Sequence, residues 1–142
     1  MKKLILISLL LCQFSMYSQF SIGKDYKNCI KELKTFLLKN GYNEFTQEKV
    51  HPNDIHKESF YIKQLFKEEI EINYFTNKFG NVTEISINPT TKENLEKLIK
   101  IFKLKTWENK IVEYNGKSYT QYKKGNIMVE INPENYLNIS KK

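Results

Sequence analysis

Residues 69–88 read EIEINYFTNKFGNVTEISIN, and residues 89–102 continue with PTTKENLEKLIKIF. The first stretch alternates apolar and polar residues on both sides of a turn at 77–81, which is the pattern of a half-buried antiparallel hairpin. Its strands are predicted at 69–76 and 82–88. The residues expected to face the core are Ile70, Ile72, Tyr74, Thr83, Ile85 and Ile87.

A helix is predicted directly after this hairpin. Pro89 ends the strand, and Thr90 with Glu93 forms a capping box, in which each side chain hydrogen-bonds a backbone N–H that the helix start leaves free. The helix is expected to end near Leu104. Its predicted buried stripe consists of Leu95, Leu98, Ile99 and Phe102, and lysines occupy the opposite face.

Similar patterns place the remaining elements on either side. A first helix is predicted at 24–39, where Asn40-Gly41 ends it, and two strands follow at 42–50 and 59–66 with a loop at 51–54 between them. After the second helix, a meander has strands at 111–114, 117–123 and 127–131, joined by Asn115-Gly116 and Gly125-Asn126. The tail beyond Pro133 is expected to be loosely held.

These elements predict an α+β fold in the order α-ββββ-α-βββ. Short connections favour a mostly antiparallel sheet with the two helices packed on one face. Residues 19–142 form a single domain in this interpretation, which is long enough to bury a core without cross-links.

The N-terminus has the layout of a secretory signal peptide, predicted at 1–18. Met1-Lys2-Lys3 is followed by an apolar run at 4–11, too short for a membrane-spanning helix. Cleavage after Ser18 is the best simple cut. The alternative is a lipoprotein that is acylated at Cys12. Acylation requires a small residue directly before the cysteine, whereas Leu11 occupies that position. The sequence therefore predicts a periplasmic or secreted protein without a transmembrane helix after signal removal.

Two resemblances accompany this plan. The chain divides into two units, each a helix followed by a meander, and so resembles the repeat of the beta-lactamase-inhibitor-like fold and of small outer-membrane assembly lipoproteins. This likeness is architectural only, since the paired cysteines of the inhibitors are absent. By its signal and composition the chain also resembles small exported uncharacterised proteins of AT-rich Bacteroidota. Neither resemblance implies an activity.

Composition argues against a nucleic-acid partner. The formal net charge is +7, and all 23 basic residues are lysines. Bidentate recognition of phosphate or guanine relies on the arginine guanidinium, which this chain lacks. The lysines alternate with glutamates, as on a solvated surface, and this pattern together with export predicts no nucleic-acid binding. Cys29 is the only cysteine left after signal removal, and its helical spacing predicts a small buried hydrophobe rather than a reactive thiol.

Motifs for catalysis or for a cofactor are absent from the sequence, so a non-catalytic protein without a cofactor is predicted. The weak metal candidates are His51, Asp54 and His56, which are all competent zinc ligands, although their spacing equally suits a turn. A small hydrolase or metal-dependent enzyme that uses this loop is the alternative function.

The turns of the meander fix which residues share a face. Asn115-Gly116 pairs Val112 with Tyr119, and the second turn pairs Lys123 with Met128. One face is predicted to be core and holds Ile111, Tyr122, Ile127, Val129 and Ile131. The other face holds the partner-binding candidates Val112, Tyr114, Tyr119 and Met128.

An apolar and aromatic cluster ringed by polar groups is typical of a surface that binds a partner. The alternative is that Trp107, the 105–110 segment or Tyr136-Leu137 covers it. The prediction is a non-catalytic periplasmic or secreted domain that binds another protein or an envelope component. A periplasmic immunity protein, which blocks a toxin, would show the same sequence features.

Overall fold

The computed structural model describes residues 20–43, 45–52, 60–67 and 70–142. The predicted α+β class is confirmed, with two helices on one face of a single antiparallel sheet. The sheet has eight strands in the order β1-β2-β3-β4-β8-β7-β6-β5. The helices are α1 (Tyr26–Lys39) and α2 (Lys92–Ile101); the strands are β1 (Phe45–Pro52), β2 (Phe60–Phe66), β3 (Ile70–Thr76), β4 (Val82–Pro89), β5 (Glu108–Tyr114), β6 (Lys117–Lys124), β7 (Ile127–Ile131) and β8 (Leu137–Lys141).

The predicted loose tail is wrong. Residues after Pro133 turn back and form β8, which lies between β4 and β7 and pairs with both. Ile139 is fully buried, with Ile85 opposite it on one side and Val129 on the other. The last strand therefore joins the first four strands and the meander into one sheet.

The β3–β4 hairpin follows the predicted alternation with one difference. The register shifts by one residue at its turn end, where Thr76 pairs with Val82 while Phe75 pairs with Glu84. Thr83 is the extra residue of this bulge, and it is exposed rather than in the core. Val82 takes the inward position instead and is fully buried.

Helix α1 begins and ends at capping residues. Asp25 accepts a hydrogen bond from the Lys27 N–H at 2.9 Å, and Gly41 follows the last turn with a φ of +81° that favours glycine. The buried face carries Cys29, Ile30, Leu33 and Leu37, at the spacing of three to four residues that is typical of an amphipathic helix. Burial of Cys29 as a small hydrophobe is thus confirmed.

Helix α2 starts one residue later than predicted. Thr91 is its N-cap and accepts a hydrogen bond from the Asn94 N–H at 3.1 Å, so the predicted Thr90–Glu93 capping box is wrong. The helix ends at Ile101 rather than near Leu104, and a 3₁₀ turn, Leu104–Thr106, follows.

An aromatic cluster and the segment before α1 close the core. The rings of Phe36 on α1 and Phe102 after α2 stack 5.4 Å apart, and Phe20 meets Phe102 edge-on at 4.9 Å. Phe20 is only 1% exposed. The segment is held to the β3–β4 hairpin, because the Gly23 N–H donates to the Val82 carbonyl at 2.7 Å.

The helices cover only part of the sheet. Eight strands about 4.8 Å apart span about 34 Å, whereas two helices about 10 Å wide cover about 20 Å. Strand β5 lies at the uncovered end, so Ile111, which was predicted to be in the core, is 73% exposed. Val129 and Ile127 of the predicted core face are buried, while Tyr122 and Ile131 pack partly buried against the core.

Two further predictions, the loop at 51–54 and the signal peptide at 1–18, lie partly or wholly outside the described residues. Strand β1 continues through His51 and Pro52, so the predicted loop does not begin at residue 51. The predicted signal peptide at 1–18 and its Cys12 lie outside the described residues. Neither helix of the described part has both the length and the hydropathy that a bilayer span requires.

Candidate functional site

The sheet face opposite the helices, named here the outer face, carries the candidate residues. Alternation along the strands and the register between them place its side chains, which are half-buried apart from the exposed Tyr114. Its members include Tyr61, Lys63, Glu71, Asn73, Phe75, Glu84, Ser86, Val112, Tyr114, Tyr119, Gln121, Met128, Glu130, Asn138 and Ser140.

The β5–β6 turn sets the geometry of the candidate cluster. Asn115 and Gly116 have φ values of 50° and 72°, as a two-residue turn with both central residues at positive φ requires. Val112 therefore lies opposite Tyr119, and Tyr114 lies opposite Lys117. Tyr114 is 68% exposed, and Val112 and Tyr119 are half-buried. These three residues form one apolar group near the hairpin end.

Met128 does not join this group, contrary to the predicted cluster. It pairs with Lys123, and Tyr119 lies four residues further along β6, about 13 Å away at the rise of a strand. The Gln121–Glu130 pair lies between them, with the Gln121 amide donating to the Glu130 carboxylate at 2.8 Å. The alternation of side chains along β7 places Met128 on the outer face, but the pairing of the strands separates it from Tyr114 and Tyr119.

Trp107 and Tyr136-Leu137, which were predicted as a possible cover for the outer face, do not lie over Tyr114. Trp107 is buried on the helix side, where its ring is 6.4 Å from that of Phe20. Leu137 is fully buried as the first residue of β8. Tyr136 is half-buried beside the loop that follows β7, where its N–H donates to Asn132 at 2.9 Å. The exposed Tyr114 is thus not covered by Trp107 or Leu137.

The candidate list missed two aromatic residues of the outer face. Tyr61 on β2 and Phe75 on β3 are paired across the strands, and their ring centroids are 5.6 Å apart. A signal was present in the sequence, since Phe75 directly follows the inward Tyr74 and so belongs to the outward parity. The outer face therefore has aromatic groups on β2–β3 and on β5–β6.

Acidic and polar side chains occupy the middle of the outer face. Partial burial, together with the neighbouring Glu130 carboxylate, raises the pKa of Glu84 above its usual value. Partial burial alone would also raise the pKa of Glu71, but hydrogen bonds from Lys63 and Asn73 lower it below its usual value. The Lys63–Glu71 ion pair measures 2.8 Å.

Beside Met128 the outer face holds an open recess of about 330 Å³. Its border carries three lysines and one glutamate, namely Lys110, Lys123, Lys142 and Glu108. The excess of cations makes this end of the face suited to acidic groups.

The described part of the structure does not bring the three metal candidates together. His51 lies on β1 opposite Tyr61 by register, while Asp54 and His56 lie outside the described residues. Across the described ranges, no group of three His, Cys, Asp or Glu side chains could hold a metal ion.

Cys29 is not placed for nucleophilic chemistry. Its thiol donates to the Ser21 carbonyl at 2.9 Å, and burial, with a smaller contribution from Glu32, raises the pKa of Cys29 to about 12. The thiolate, which is the reactive form, is therefore disfavoured.

Comparisons with protein-family models, with curated proteins and with solved structures find no match for this chain.

Proposed function

We propose that this protein is a non-catalytic exported domain that binds another protein or an envelope component through the outer face of its sheet. The observation that carries this proposal is the β5–β6 hairpin. It presents Tyr114, 68% exposed, beside the Val112–Tyr119 pair on a face where neither helix packs.

The chemistry of the hairpin suits a protein partner. Tyrosine offers a large apolar area, a polar tip and few rotatable bonds, so it loses little freedom when it is held at an interface. Three lysines and one glutamate border the recess beside Met128, at the other end of the β5–β6 hairpin, and this excess of cations favours a partner with acidic side chains. We therefore expect tyrosine contacts at the turn end of the hairpin and lysine contacts at its other end.

If the protein is exported as proposed, the burial of Phe20 favours a cleavage site before residue 20. Cleavage after Ser18 leaves Gln19 as the first residue, so the buried Phe20 and its contact with Phe102 are kept. A cut beyond Phe20 would remove a core aromatic. Intact-mass measurement of the native protein tests this step: a chain that starts near Gln19 is expected, and a full-length product found in the cytoplasm would refute export.

The binding proposal is tested by retention from envelope extracts. Immobilised protein should retain a partner, identified by mass spectrometry, and Tyr119→Ala or Tyr114→Ala should reduce its recovery at least about tenfold, as for a central interface residue. Lys100→Ala is the matched control, because Lys100 lies exposed on α2 at the opposite side of the molecule. Equal recovery by all three variants would refute the outer face as the binding site.

A further inference from the structure

The two edges of the sheet differ in how they are protected. Strand β1 carries a register shift between Phe45 and Gln47 and ends at Pro52, which has no N–H. Bulges and prolines are devices that prevent one sheet edge from pairing with another. Strand β5 has seven residues and pairs with β6 without any shift. Its outer edge therefore has neither protection in the part of the chain that the structure describes.

Strand β5 is also exposed on both of its faces. Tyr114 is 68% exposed on the outer face, and Ile111 is 73% exposed on the helix side, beyond the reach of α1 and α2. A large aliphatic side chain at a bare strand edge favours contact with another chain.

The hairpin decides which backbone groups of β5 are available. The residues that flank a two-residue turn, Tyr114 and Lys117, exchange both of their hydrogen bonds, and the bonded pairs then recur at every second residue. The backbone groups of Val112 therefore point to β6. The N–H and C=O groups of Asn109, Ile111 and Glu113 point away from the sheet.

We propose that β5 pairs antiparallel with β5 of a second copy of this chain, with the two-fold axis at Ile111. Three residues on each copy then form about six main-chain hydrogen bonds. Ile111 meets Ile111 of the second copy, and each Asn109 amide faces a Glu113 carboxylate. The pairing joins two eight-stranded sheets into one continuous sheet.

Side-chain charge disfavours two of the alternative registers. Pairing centred on Glu113 would bring two carboxylates together, and pairing centred on Lys110 would bring two ammonium groups together. Like charges directly opposite one another are unfavourable in a sheet. Centring on Val112 would place Ile111 opposite Glu113. That register opposes no like charges and pairs Val112 with itself, but only Ile111 and Glu113 of each copy could then form main-chain hydrogen bonds, about four in all. The register at Ile111 forms about six, and it places the exposed Ile111 against its own copy instead of against a carboxylate.

A second copy also extends the proposed binding surface. The two-fold axis is perpendicular to the sheet, so the outer faces of both copies lie on the same side. The tyrosine groups of both hairpins then flank the junction. This inference does not depend on the outer-face proposal, since the residues that pair are Asn109, Ile111 and Glu113.

The oligomeric state tests the proposal. Sedimentation equilibrium of the purified protein over about 1–500 μM should show a reversible dimer, because a contact made by one strand is small for a stable interface. Ile111→Lys should weaken dimerisation at least tenfold, as it places two cations at the axis. Phe79→Lys, a like change at a residue 78% exposed in the β3–β4 turn, should leave it unchanged. A monomeric wild type throughout this range overturns the proposal.

Cysteine cross-linking tests the register. Under mild oxidation Ile111→Cys should give a disulfide-linked dimer, since paired residues have Cα atoms about 5.5 Å apart. Asn109→Cys should not link to itself, because its two copies would lie about 13 Å apart. The native Cys29 is buried and does not compete. Equal linking at both positions, or linking at Asn109 alone, overturns the register.

Discussion

Replacing Ile139 with Ala tests whether the last strand closes the sheet. Ile139 is fully buried, and its neighbours Ile85 and Val129 belong to the flanking strands. An Ile→Ala change in a core costs about 2–5 kcal/mol, and the cost rises with the cavity left behind. Strands on both sides are hydrogen-bonded to β8 and cannot easily close that cavity. We therefore expect a loss in the upper half of the range, about 3–5 kcal/mol.

Urea unfolding followed by the fluorescence of Trp107 measures this loss. Trp107 is the single tryptophan and is buried against Phe20, so its emission reports on the folded core. The melting temperature should fall by about 10–20 °C for a domain of this size. Ser140→Ala, on the next residue and the outer face, should change the unfolding free energy by less than about 0.5 kcal/mol. An Ile139→Ala effect as small as that control would refute the insertion of β8.

Three further substitutions test local features of the structure. Tyr74→Phe removes the hydroxyl that donates to the buried amide oxygen of Gln64 at 2.6 Å, and the same urea titration should show a loss of about 1–3 kcal/mol. Thr91→Ala removes the N-cap of α2 and should cost about 0.5–2 kcal/mol, whereas an equal cost for Thr90→Ala would contradict the assigned cap. Folding raises the pKa of Glu84 above its ordinary value of 4.5. The unfolded chain therefore loses this proton at a lower pH than the folded protein does, and the ionised carboxyl disfavours folding as the pH rises above 4.5. Glu84→Gln should therefore raise the unfolding free energy at about pH 7 and have little effect below about pH 4, and a gain that does not vary with pH would contradict this reasoning.

Local chemistry allowed much of the fold to be predicted. The alternation in residues 69–88 and the Asn115-Gly116 turn involve neighbours in sequence, and both the β3–β4 hairpin and the β5–β6 pairing were predicted from them. The apolar spacing of α1 and α2 likewise indicated which face of each helix is buried. Such signals extend over a few residues, so a single sequence contains them in full.

The eighth strand depends on a partner that the sequence does not indicate. Residues 137–141, LNISK, alternate apolar and polar residues, but five residues beside a chain end carry a weak pattern. Strand β8 is stabilised by pairing with β4, which lies some fifty residues earlier in the chain. Ile85 and Ile87 of β4 pair with Ile139 and Leu137 of β8. That pairing is non-local, and no turn signal connects the two strands.

The positions of the candidate residues in the sheet were predicted only in part, for a related reason. Parity correctly separated Val112 and Tyr119 from Ile111, because parity is a property of one strand. Whether Ile111 is covered depends on the width of the helix layer relative to the sheet. The distance between Met128 and Tyr119 depends on how far apart two pairs lie along the same strands. Both are properties of the assembled sheet rather than of any one segment.

Photo-cross-linking in intact cells shows whether the outer face of the sheet binds a partner. A photoreactive phenylalanine analogue in place of Tyr119 on the outer face, and of the exposed Lys100 on α2 as the control, reports which side of the protein meets a partner. We expect an adduct with a different protein or envelope component from position 119 and none from position 100. No adduct from position 119, or the same adduct from both positions, would show that the outer face is not the binding surface.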